Sequence, residues 1–298
     1  MSVITWIGLG QMGLPMATNL VRAGHEVHGV EIDPEMAAAA AAAGIVMHDS
    51  AAESVPDSAF VFTMLPTGDL VAAVLTGEDG VFALMRDGAV AIDSSTVDVV
   101  QTRDLHDEAK RRGVAFLDAP VSGGVAGAQA GTLAVMVGGD AADFEVARPV
   151  LEGYGGHVGL IGGAGSGQAV KIVNNMIVGA CLAATCEGVV LAERLGLDTS
   201  ALFDMVSRSS GDNWALRNWY PIPGVVETAA SNRDFAPGFT TALLVKDLNL
   251  AVSAGQATGT PLQTGQTVLR QFTEHKEAGN ALLDCSSLIT SIRDHVDR

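Results

Sequence analysis

Apolar and polar positions along the chain follow one rhythm up to about residue 163 and another after it. In the first stretch, short apolar runs of strand length alternate with segments of helical spacing. Residues 3–7, 26–30, 59–65, 89–92, 114–117 and 133–137 read as strands. Residues 35–43, 99–111 and 141–151 read as helices, and so does an amphipathic segment through Asn19 and Leu20. Strands separated by helices require crossover connections, and hence a mostly parallel sheet whose βα turns carry the ligand contacts. Beyond residue 165 the strands stop. Residues 167–195 contain no proline and are apolar almost all round, broken mainly by Lys171, Asn174, Asn175, Glu187, Glu193 and Arg194. Such a helix runs ~40 Å, and one apolar on every side is expected to be surrounded by protein. Helical spacing resumes over 199–207, 241–258, 261–278 and 286–296, around a loop-like stretch at 209–238. The expected organisation is an α/β domain over 1–163 and an all-helical domain over 164–298, with the helix at 167–195 joining them.

Composition narrows the function. The 298 residues carry 17 basic and 34 acidic side chains, a formal charge of −17. That field repels polyanions and disfavours nucleic acid and anionic membrane as partners. No uninterrupted apolar run reaches the length of a bilayer span. The chain opens on a core strand with no room for a leader, so a soluble, cytoplasmic protein is expected. Cys181, Cys186 and Cys285 cannot make a disulfide framework, their spacing matches no zinc motif, and the seven histidines are scattered. No metal site is expected.

The first candidate site is Gly8-Leu9-Gly10-Gln11-Met12-Gly13, which follows the first strand and opens the first helix. Gly8 suits the tight turn, Gly10 lets a pyrophosphate approach the backbone, and Gly13 lets helix and strand pack closely. The helix N-terminus attracts the anion. Glu31, at the end of the second strand, is placed to accept hydrogen bonds from a ribose hydroxyl and to repel a 2′-phosphate. The order strand, glycine loop, helix, strand and acid is that of a Rossmann-type dinucleotide site, and the acid points to NAD. Read alone, Glu31 could also be a solvated strand end.

The second candidate is Lys171, four positions before Asn175 on the long apolar helix and therefore on the same face. A lysine there must pair, snorkel to solvent, or face a cleft, where desolvation would lower its pKa and suit it to acid/base work. The turn Ser122-Gly123-Gly124 offers a hydroxyl and open backbone N–H groups, the equipment for a carboxylate, though a plain glycine turn would look the same. Lys246-Asp247 reads as the opening of a late helical segment, either reaching into a site or forming an exposed ion pair.

Taken together, GLGQMGLPMATNL, the Met64-Leu65-Pro66 turn, Asp93-Ser94-Ser95-Thr96, DAPVSGG, GSGQAVKIVNN and GFTTALLVKDLNLA resemble the β-hydroxyacid dehydrogenases. The resemblance covers essentially the whole chain with its motifs in order. It implies a small β-hydroxy acid substrate, with Lys171 as general acid/base. It also implies that Ser122, Gly123, Gly124, Asn175 and Trp214 lie at the substrate. Leu65, Pro66, Thr96 and Lys246 match cofactor-contacting positions, and Leu70 stands at another, where its contact would be apolar. The loop SSGDNWALRNWYPIPGV is most similar to that of members oxidising 3-hydroxyisobutyrate to methylmalonate semialdehyde in valine breakdown, although Trp219 and Tyr220 depart from their pattern. Siblings acting on tartronate semialdehyde, serine or another short β-hydroxy acid, and a catalytically silent NAD-binding protein, are the alternatives. The apolar helical region suggests a homo-oligomer, a dimer or tetramer.

Overall fold

Alternation of strand and helix up to Gly162 yields one sheet in the computed structural model, which describes residues 1–296. Contacts divide the chain into a unit spanning Met1–Lys171 and another from Ile172 onward. The first contains β1 (Val3–Ile7), α1 (Gly13–Arg22), β2 (Glu26–Val30), α2 (Pro34–Ala42), β3 (Val46–His48), β4 (Phe60–Thr63), α3 (Gly68–Thr76) and α4 (Val81–Leu84). It continues with β5 (Val90–Asp93), α5 (Val99–Arg112), β6 (Ala115–Asp118), β7 (Val121–Ser122), α6 (Gly124–Ala130), β8 (Leu133–Gly139), α7 (Ala141–Leu151) and β9 (Gly155–Gly162). The long helix α8 (Ser166–Arg194) begins in this unit and supplies the first helix of the next.

The strands run in the order β3-β2-β1-β4-β5-β6-β8-β7, with β9 also paired to β8. From β3 to β6 every neighbour is parallel, and β8 is antiparallel to both β6 and β7. The sheet is therefore mostly parallel, as the alternation requires. Its apolar side chains feed two cores. Trp6 stacks on Phe62 at 4.6 Å between ring centroids in one core, and Phe82 meets Phe116 edge-on in the other.

The second unit is helical among its described residues: α9 (Thr199–Val206), α10 (Trp214–Asn218), α11 (Thr241–Thr258), α12 (Gln263–His275) and α13 (Leu288–Val296) pack with α8. Leu182, Cys186 and Val190, spaced four apart on α8, enter its core.

Several expectations change. The helix expected over 261–278 is α-helical over Gln263–His275 and continues as a π-helical turn, Lys276–Asn280, interrupted at Gly279 with φ +99°. The last α-helix begins at Leu288 because residues 285–287 form a 3₁₀ turn capped by Asp284. The stretch 209–238 is not all loop, since Asn213 caps α10. Helix α8 is not covered on every side. Val173, Ile177 and Leu191, with Leu195 just past its end, are each about half exposed or more, along one stripe. By length and composition alone α8 could cross a bilayer, contrary to the reading of the sequence by uninterrupted runs. Half of its most apolar stretch is buried in the protein, as in a core helix.

Candidate active site

The loop between β1 and α1 shows why its glycines are where they are. Gly8 has φ +92°, and a Cβ there would lie 2.3 Å from the Met64 carbonyl oxygen. A Cβ on Gly13 would lie 2.0 Å from the Gly8 carbonyl oxygen, so α1 can seat on the turn only without a side chain. At Gly10 a Cβ would meet nothing within 4 Å, which leaves open space beside the backbone. Met12, the N-cap of α1, makes no side-chain cap hydrogen bond, so no capping side chain competes with an anion for the helix N-terminus. This cradle fits a dinucleotide pyrophosphate. Glu31 is more than a solvated strand end. One carboxylate oxygen accepts the Leu9 N–H at 2.6 Å, and the other accepts the N–H groups of Ile32 and Asp33 at 2.8 and 2.9 Å.

Past the carboxyl ends of β4 and β5 come Leu65 and Pro66, and Thr96, and the Ser122 turn follows β7. The Leu65 N–H donates to Ser95 Oγ at 2.8 Å. Asp93 is fully buried and accepts from Thr63 Oγ1 at 2.8 Å and from the Ser95 N–H at 3.1 Å. Burial pushes its carboxyl pKa up, opposed by those hydrogen bonds and reinforced by Asp118, its register partner on β6. Ser122 ends β7, Gly123 and Gly124 have φ +137° and +66°, and α6 starts at once. The sequence showed the turn but not the helix that follows. Leu70 lies on α3 with 48% of its surface exposed.

Lys171 stands in the second turn of α8 and keeps only 8% of its surface exposed, so it does not snorkel into open solvent. Asn175, one helical turn further, is 3% exposed and donates its Nδ2 to Asp247 Oδ2 at 2.6 Å. Its own Oδ1 accepts from Asn174 Nδ2 at 3.0 Å. Lys246 and Asp247 do not open a helix, because α11 begins at Thr241. Nor is theirs an exposed ion pair. Lys246 Nζ lies 3.2 Å from Asp247 Oδ1, but Asp247 is 2% exposed and points inward to Asn175. Trp214 opens α10 partly exposed and meets Trp219 edge-on at 4.9 Å, while Trp219 stacks on Phe239.

Three further residues hold these side chains in place: Asp247, read from the sequence only as the neighbour of Lys246, and Asp118 and Gln168, given no role there. Asp247 fixes the Asn175 amide. Asp118 accepts the N–H of Gly165 at 2.9 Å and of Gln168 at 3.0 Å, and so caps α8 from a distant strand, with His106 Nε2 at 2.8 Å. The third is Gln168, fully buried one turn before Lys171. A buried acid inside a motif ending a strand was the one available signal for Asp118. Among the described residues no group of three or more His, Cys, Asp or Glu side chains could hold a metal ion.

Residues 3–163 match the NAD-binding domain of 6-phosphogluconate dehydrogenase, and residues 165–292 match the NAD-binding family of NADP-dependent 3-hydroxyisobutyrate dehydrogenase. The chain is 45% identical to a probable 3-hydroxyisobutyrate dehydrogenase of Mycobacterium tuberculosis over the whole of both sequences. It is 39% identical to the NAD-dependent L-serine dehydrogenase of Pseudomonas aeruginosa, over 96% of each chain. Among solved structures, the M. tuberculosis 3-hydroxyisobutyrate dehydrogenase with L-serine superposes with a TM-score of 0.90 at 45% identity, covering 98% of this chain and 99% of that one.

Proposed function

Because the chain belongs to the 3-hydroxyisobutyrate dehydrogenases of the β-hydroxyacid dehydrogenase family, NAD-dependent oxidoreductases acting on CH–OH groups, we propose that it oxidises 3-hydroxyisobutyrate to methylmalonate semialdehyde, a step of valine breakdown. The observation that carries the reading is Lys171, a nearly buried lysine on an apolar helix, one turn before an asparagine locked by a buried aspartate. In this reading the loop from Gly8 to Gly13 holds the pyrophosphate, and Glu31 takes the ribose hydroxyls. Leu65, Pro66, Leu70, Thr96 and Lys246 supply the remaining cofactor contacts. NAD, when bound, accepts the hydride released from the alcohol carbon. Lys171 takes the hydroxyl proton as that hydride leaves. The Ser122-Gly123-Gly124 turn holds the carboxylate, Asn175 orients the reacting oxygen, and Trp214 borders the substrate.

The test is Lys171→Ala. It should lower kcat by ~10²-fold or more with NAD affinity nearly unchanged. A variant keeping more than about a third of wild-type kcat, with hydride transfer rate-limiting, removes Lys171 from the role. A second substrate, L-serine, is favoured by the named activity of the P. aeruginosa relative and by the serine in the M. tuberculosis structure. NADH formation across a panel of short β-hydroxy acids separates the two, since one methyl or hydroxyl is worth about 1–3 kcal/mol in a pocket. Absence of turnover on every acid would mark a silent NAD-binding protein instead. We further propose that copies of the chain associate through the exposed stripe of Val173, Ile177 and Leu191 on α8, continued by Leu195. Sedimentation of Ile177→Lys should show a smaller species than the wild type.

A further inference from the structure

Both ends of the Gln168 side chain are committed to one short piece of backbone. Its Oε1 accepts the Val97 N–H at 3.2 Å, and its Nε2 donates to the Ser95 carbonyl oxygen at 2.7 Å. These two backbone groups flank Thr96. The amide therefore brackets the loop that follows β5, holding it from both sides of a single residue. The main chain of Gln168 is pinned as well, since its N–H donates to Asp118 Oδ2, while the other oxygen of that carboxylate takes the Gly165 N–H. Asp118 has no room to move. A Cβ on Gly138 would lie 2.6 Å from its Oδ1, and one on Gly167 would lie 2.9 Å from its Oδ2. The loop continues the chain of contacts, because Ser95 Oγ accepts the Leu65 N–H. Gln168 thus joins three segments: the start of α8, the loop bearing Thr96, and through Ser95 the turn bearing Leu65 and Pro66. All of these groups are buried or partly buried, where a satisfied polar network is stiff and a broken one is costly.

Lys171 sits three residues further along α8, on the adjoining turn, so its root moves as a rigid body with Gln168. We propose that Gln168 is a positioning residue which sets the distance between Lys171 and the cofactor-contacting loops at Thr96 and Leu65. The proposal rests on the reading of Lys171 as acid/base given above. Its physical content is that proton acceptor and hydride acceptor are registered by one amide side chain rather than by packing alone. Misplacement by about 1 Å at such a site can cost 10²-fold in rate.

Gln168→Met keeps the volume and apolar packing but loses both hydrogen bonds. It should lower kcat ~10- to 10²-fold, with a primary deuterium isotope effect from substrate labelled at the alcohol carbon. The NAD dissociation constant should stay within about threefold, and the variant should fold with a lowered melting temperature, since the Val97 N–H and the Ser95 carbonyl lose their partner. Gln168→Glu supplies the discriminating readout. Protonated, its carboxyl keeps a donor for the Ser95 carbonyl; ionised, it sets a charged oxygen against that carbonyl. Its kcat should therefore fall as pH rises through an ionisation that neither the wild type nor Gln168→Met shows. In a Lys171→Ala background the Gln168→Met effect should shrink below about threefold, since the group being positioned is gone. The proposal is overturned if Gln168→Met keeps kcat within about twofold of wild type, or if its full effect persists without Lys171. It is also overturned if the Met variant unfolds and the Glu variant shows no recovery in acid. If Lys171→Ala lowers kcat while Gln168→Met does not, only this proposal fails. If Lys171→Ala leaves kcat intact, the acid/base reading fails first and takes the proposal with it.

Discussion

His275 ends α12 almost wholly buried, with Nδ1 at 2.6 Å from Ser291 Oγ and Nε2 at 2.8 Å from Ser287 Oγ. The two serines tie the imidazole to α13 and to the turn before it. Burial disfavours the charged ring and pulls its pKa from 6.5 to about 4. Because the folded value is depressed, the unfolded chain binds the proton first as pH falls. The contribution of the neutral ring is complete above pH ~6.5 and is lost progressively down to pH ~4. At 1.36 kcal/mol per unit of pKa the full loss is about 3 kcal/mol, of which about 2 kcal/mol has gone by pH ~5. Other groups titrate in the same window, so the measurement is a difference. Urea unfolding of the NAD-free protein, followed by far-ultraviolet circular dichroism, should be run at pH ~7 and ~5 on the wild type and on His275→Gln, which cannot protonate. The variant should be less stable at neutral pH, having lost shape and hydrogen bonding. Between the two pH values the wild type should lose about 2 kcal/mol more than the variant. Equal losses in the two proteins would show that His275 is not held neutral by burial.

Gly13→Ala places its Cβ 2.0 Å from the Gly8 carbonyl oxygen, and should destabilise the protein and abolish NADH binding measured by fluorescence. Gly10→Ala meets open space, and should melt with the wild type yet weaken NADH binding at least about tenfold, because the methyl occupies the approach to the pyrophosphate. Glu31→Arg should narrow or reverse the ratio of kcat/KM for NAD over NADP, and wild-type activity equal with both cofactors would refute the role of Glu31. A side chain at Gly123, which has φ +137°, should raise KM for the acid while sparing NADH binding. If the acid and its methyl ester are oxidised with similar kcat/KM, the Ser122 turn does not grip a carboxylate.

Local signals were enough for six of the nine strands and for most helices. The glycine loop, Glu31 at the end of β2, the bounds of α7 and α11, and the long proline-free α8 were all legible. What escaped has a physical reason in each case. Strand β9 reads GGHVGLIG and is too rich in glycine to show a period of two, while β3 is three residues long at the sheet edge. Lys171 and Asn175 announced themselves by standing polar among apolar neighbours on one helix. The hydrogen bonds of Asp247 to Asn175, of Asp118 to the Gln168 N–H and of Gln168 to Ser95 join partners 50 to 73 residues apart in the chain. No window along the sequence contains both partners, so periodicity cannot find them. Exposure misled in the opposite direction at α8, where an all-round apolar composition concealed a half-open face.

The tight seat of Asp118 has a consequence for how this sequence can drift. A methyl group at position 138 or 167 would collide with the carboxylate or with neighbouring backbone, including the Met136 carbonyl oxygen 2.2 Å from a Cβ on Gly167. Shortening or neutralising residue 118 would in turn strip an acceptor from the Gly165 or Gln168 N–H. Positions 118, 138 and 167 therefore behave as a single heritable character. Any path from this arrangement to another must pass through an intermediate that is either crowded or uncapped at the head of α8. Across descendants of this chain the three should persist together or be replaced together. Libraries that randomise them singly should return the parent residue at each.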